Sequence, residues 1–72
     1  MYYQYTYFLR FFHRDSFEIE EYEHRNEEEA REHFEMFDDT DAEYYTHIDL
    51  FVYDWKAQTE THLDSKLLNL PV

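Results

Sequence analysis

Apolar and polar positions along this chain follow two different periods. Alternation with period two, the signature of a strand, is clearest from Glu43 to Trp55, a run rich in β-branched and aromatic residues with no Gly or Pro. One face of that strand carries Thr46, Ile48, Leu50 and Val52, and the other His47, Asp49, Phe51, Tyr53 and Trp55. Tyr2 to Phe12 reads as a second long strand. Its odd positions (Tyr3, Tyr5, Tyr7, Leu9, Phe11) are the more continuously apolar and are assigned to the core. After a polar break at His13–Ser16, Phe17 to His24 reads as the return strand of a hairpin. If Phe17 and Ile19 meet Phe11 and Leu9 on the core face, Arg10 falls opposite Glu18, and the outer face carries Glu18, Glu20 and Tyr22. So acidic a strand suits a sheet edge.

Between the strands the period changes to that of a helix. Ala30, His33, Phe34 and Phe37 are spaced i, i+3, i+4, i+7 and form one apolar stripe, with Glu28, Glu32 and Glu35 on the opposite side. Asn26 is suited to the N-cap, with Glu29 completing a capping-box pattern. The helix is expected to end near Phe37, before Asp38-Asp39-Thr40-Asp41. Lys56–Gln58 reads as a turn, Thr59–Leu63 as a last strand, and 64–72 as an irregular Leu-rich tail. The order strand, strand, helix, strand, strand predicts one α+β domain over residues 1–72. In it a two-layer ββαββ unit has a four-stranded antiparallel sheet in order 2-1-3-4 and one helix packed on one face. The other face is left open.

Composition narrows the chemistry. Without Cys there are no disulfides and no thiolate zinc sites, and without Gly there is no glycine-rich phosphate loop or dinucleotide fingerprint. Eight Tyr, seven Phe and one Trp supply large buried area at low side-chain entropy. No apolar run spans a membrane and no signal peptide is visible, so the expectation is a cytoplasmic protein with no membrane association. Net charge is −12, and residues 15–43 hold all of the excess, with 14 acidic residues against Arg25 and Arg31. Such a surface repels nucleic acid and attracts basic partners.

Asp39-Thr-Asp41-Ala-Glu43 matches the opening of a calcium-binding EF-hand loop, but Tyr44 stands where Gly is required and Leu50 where Glu is required, so no calcium site is expected. The five histidines form no zinc motif, and neither serine lies in a nucleophile elbow. The expectation is therefore a non-enzymatic protein without a cofactor or bound metal.

Two surfaces remain as candidate binding sites. Glu18, Glu20, Glu28, Glu32 and Glu35 form a carboxylate surface able to imitate nucleic-acid phosphates toward a Lys/Arg groove. Phe51, Tyr53 and Trp55, with Phe8 and Phe12, lie on the open sheet face, where they favour protein contact unless the C-terminal tail covers them. Small, acidic, aromatic-rich and free of cysteine, the chain resembles in general character the inhibitors that phages make against host defence. These are the anti-restriction and anti-CRISPR proteins, some of which mimic DNA. The resemblance implies an inhibitor of a basic, nucleic-acid-binding protein. The alternative is a structural homodimer or scaffold module that associates through the aromatic sheet face.

Overall fold

The structure, a computed structural model, describes residues 4–71. Its elements run β1 (Tyr5–His13), β2 (Ile19–His24), α1 (Glu27–Glu35), a 3-10 turn (Asp39–Asp41), β3 (Tyr45–Asp54) and β4 (Thr59–Leu67). The sheet has the order β2-β1-β3-β4, each neighbouring pair antiparallel, as expected. The expected start of the first strand at Tyr2 and Tyr3 lies outside the described residues, as does Val72.

The two most apolar strands are central because only there are both edges paired and both faces available for burial. Their register sets Leu9 against Leu50 and Phe11 against Ile48 on the helix side. α1 lays Ala30 and Phe34 on these residues, and Ala42 and Leu68 complete the buried cluster. Each large side chain buried here contributes about 1.5–3 kcal/mol. Truncating Leu50 or Phe34 to Ala is expected to cost about 2–5 kcal/mol. Asn26 caps α1 by accepting the Glu29 N–H at 2.9 Å, and the first turn carries Glu27, Glu28 and Glu29 at the positive end of the helix dipole.

The hairpin register differs from the one expected. Arg10 lies opposite Glu21, not Glu18, and Phe11 opposite Glu20. An odd shift of three residues turns every β2 side chain to the other face. Ile19, Glu21 and Glu23 therefore face the open side, while Glu20, Tyr22 and His24 face the helix. Phe17 is fully exposed in the connecting loop. The shift follows from polar pairing: Glu20 gains His13, Tyr22 and Tyr45 as hydrogen-bond partners, and the Tyr22 ring meets Phe11 edge-on at 5.4 Å.

The last strand also runs longer than expected, to Leu67, across a register irregularity opposite Leu50 and Phe51. The segment after it is tied to the body: Leu68 is buried and donates its N–H to the Thr46 carbonyl at 2.9 Å. Arg14 turns inward to donate to the carbonyls of Ala42, Tyr45 and Leu68. The tail thus closes the core and does not cover the open face.

Candidate protein-binding surface

The carboxylate surface is built mainly by α1. Its apolar stripe is buried, so Glu28, Glu32 and Glu35 are left exposed on the outer side. Along the axis they rise by about 6 and 4.5 Å, the same order as the about 3.4 Å rise between phosphates of one DNA strand. Among the described residues these three make no ion pair; Arg31 is taken by Glu27 at 2.7 Å and Asp64 at 3.6 Å. With Arg31 and exposed Met36 they line a shallow depression. Glu18 is exposed in the loop before β2 and stands apart from this row.

Glu20 belongs elsewhere. Its carboxylate accepts from Tyr22 Oη at 2.8 Å and Tyr45 Oη at 3.2 Å and contacts His13 Nε2 at 2.9 Å. The Tyr22 hydrogen bond, then those of His13 and Tyr45, holds its pKa below the usual carboxylate value. Reciprocally, the hydrogen bond to Glu20 raises the Tyr22 phenol, and burial, then Glu20, raises Tyr45. Glu20 is thus a structural carboxylate on the helix side.

Next to this group His24 Nε2 and His33 Nδ1 lie 2.9 Å apart, a hydrogen bond joining β2 to α1. One nitrogen donates and the other accepts, so at least one ring is neutral. Burial, then the proximity of His24, lowers the His33 pKa. Among the described residues no group of three or more His, Asp or Glu side chains converges to hold a metal. The carboxylates of the Asp38–Asp41 segment accept from backbone and hydroxyl groups: Asp38 from Thr40, Asp41 from the Asp38 N–H and Asp39 from the Asn69 N–H.

On the open sheet face the aromatics divide. Phe8 and Phe51 stack at 5.2 Å, and Arg10 lies over the Phe51 ring at 4.0 Å. Arg10 also reaches Glu21 on β2 at 2.9 Å and Glu60 on β4 at 3.3 Å, so one side chain spans the sheet. Phe8 and Phe51 are only 9% and 4% exposed, although among the described residues no further helix or strand packs on this face. Phe51, expected to be an exposed contact residue, is buried by this guanidinium. Tyr53 is half-buried against Trp55, which stays 55% exposed and donates Nε1–H to Thr6.

At the end of this face Ile19 and Leu67 join Phe12 and His47, which the strand pattern had placed there. Across the four strands run Ile19, Phe12, His47 and Leu67 in one row. Phe12 and His47 stack at 4.0 Å with their planes 12° apart. Ile19 is 54% and Leu67 72% exposed. The signal for Ile19 was present, but the expected register turned it inward; Leu67 was placed in the tail.

Among the described residues no helix is long and apolar enough to cross a membrane. No family model, curated protein or solved structure matches this chain.

Proposed function

We propose that this protein is a non-catalytic binding module that occupies the cationic groove of a nucleic-acid-binding protein, in the manner of a phage-type inhibitor that mimics DNA. The observation that carries this reading is the outer face of α1. Glu28, Glu32 and Glu35 stand exposed in a row without ion-pair partners among the described residues, inside the stretch that holds the whole net charge of −12. A row of three carboxylates beside one arginine keeps a net negative charge, which raises the association rate with a basic surface and releases its counterions.

The test is retention of partners on the immobilised protein from a host lysate at two salt concentrations, with competing duplex DNA as a third arm. Basic nucleic-acid-binding proteins are expected to be held at low salt, released at high salt and displaced by DNA. They are expected to be lost from the Glu28→Lys/Glu32→Lys/Glu35→Lys variant. Equal retention by that variant, or no retained basic protein at low salt, rejects the reading. The alternative, a homodimer joined through Phe51, Tyr53 and Trp55, has less support, because Arg10 already covers Phe51.

A further inference from the structure

We propose that the row Ile19–Phe12–His47–Leu67 is a second contact surface that seats the apolar stripe of a basic amphipathic helix in the same partner. The proposal rests on the reading above and names what the partner must present besides positive charge. The row crosses all four strands, a width of about 14 Å from β2 to β4, close to the length of about ten helical residues. Its centre is the stacked pair of Phe12 and His47, both partly exposed, with an exposed aliphatic side chain at each edge. Only one face of the sheet carries a helix, so an incoming helix would supply a missing layer.

Charge selects the occupant. The cations near the row are already engaged. Arg10 is held by Glu21 and Glu60, Arg14 points inward to three carbonyls, and Lys66 donates to the Phe37 carbonyl on the helix side. What surrounds the row at the surface is mainly carboxylate, Asp15 and Glu18 in the loop and Asp49 on β3, while Glu21 on β2 is paired with Arg10. A second copy of the chain would bring another −12 against this rim, whereas Lys and Arg flanking an apolar stripe complement it.

The experiment uses two synthetic peptides of equal charge and about 14 residues, long enough to overhang both edges. One is an amphipathic Leu/Lys helix; in the other every Leu is Ser. Binding to the intact protein is measured by fluorescence anisotropy at low salt and at about 1 M salt, where the Debye length is about 3 Å. The Leu/Lys peptide is expected to bind about tenfold more tightly than the Ser/Lys peptide, an advantage of about 1.4 kcal/mol. It is also expected to remain bound at high salt. Ile19→Ser/Leu67→Ser should remove that advantage and leave Ser/Lys binding unchanged. Leu67→Lys alone, at the more exposed position, repeats the test should the double variant lose its circular dichroism. Equal binding of the two peptides overturns the proposal, as does a folded variant that keeps the advantage. So does sedimentation showing that the protein alone pairs through this row. Failure of the α1 lysine variant to weaken the Ser/Lys peptide counts against the carboxylate reading instead, so the two failures are distinct.

Discussion

At the scale of single residues, Arg10 does what a second layer of structure does elsewhere. Its stem and guanidinium lie over Phe51, while Glu21 and Glu60 hold it from either side. The ion pairs are partly exposed and contribute little alone; the cation–π contact and the excluded water add about 0.5–1 kcal/mol. Arg10→Ala is expected to destabilise the protein by about 1–2 kcal/mol in urea unfolding, with Arg10→Lys recovering part of it. An unchanged midpoint for Arg10→Ala would mean that the ring is covered by other means. His33 makes stability depend on pH. Its folded pKa lies below the ordinary 6.5, through burial and then His24. The unfolded chain therefore binds a proton first as pH falls, and the contribution of His33 is complete above 6.5 and lost on acidification through that value toward the lower folded one. The melting temperature is expected to fall as the pH drops through 6.5, with a shallower slope in His33→Phe. The same slope in both proteins would assign the effect to another group.

At the scale of elements, β2 shows where sequence reading succeeds and where it stops. That Ile19–His24 is an edge strand paired with β1 was legible from its acidic alternation and the polar break before it. Its register was not. Apolarity favoured Phe17 and Ile19 as core residues, but the strand instead sets the 42% exposed Tyr22 ring edge-on against Phe11 and gathers hydrogen bonds on Glu20. Those bonds join β2 to His13 and Tyr45, residues distant in sequence, and period counting does not see them. For β1, β3 and α1 the aliphatic pattern sufficed, because Leu9, Ile48, Leu50 and Phe34 are inside on any pairing of those elements. On the candidate surfaces, Glu28, Glu32 and Glu35 were legible from the helical stripe; the covering of Phe51 depends on an arginine reaching two other strands and was not. Two substitutions separate the registers. Phe17→Ser is expected to change stability by under about 0.5 kcal/mol, and Tyr22→Ala to lower it by about 1–3 kcal/mol. Thermal melts giving the reverse order would support the register with Phe17 in the core.

At the scale of the molecule, the protein is long and thin. Its extents are 46 × 24 × 17 Å and its radius of gyration is 13.2 Å, against about 11 Å for a compact chain of this length. A nine-residue helix on a sheet of this length leaves much of the structure within reach of water. Charge therefore acts on the fold as well as on partners. With −12 on 72 residues, self-repulsion opposes folding at neutral pH and low salt. Screening by about 0.1–0.2 M salt, where the Debye length is about 8–10 Å, is expected to raise the melting temperature. A maximum in the lowest-salt buffer would show that attractive pairs such as Arg31–Glu27 outweigh the repulsion.

The acidic edge strand also bears on how readily one chain can add to another. β2 has only one strand neighbour, β1, and within six residues it carries Glu20, Glu21 and Glu23. Their charge keeps one chain's open edge from hydrogen-bonding to another's. Substitution can remove that guard. In Glu21→Gln/Glu23→Gln the edge keeps Ile19 and Tyr22 beside a partly exposed aromatic sheet with less charge to repel a neighbour. Growth of thioflavin-binding fibrils is expected for that variant, and slower growth for Glu21→Lys/Glu23→Lys, whose edge stays charged. Fibrils forming equally fast in that variant would place the growing edge on β4.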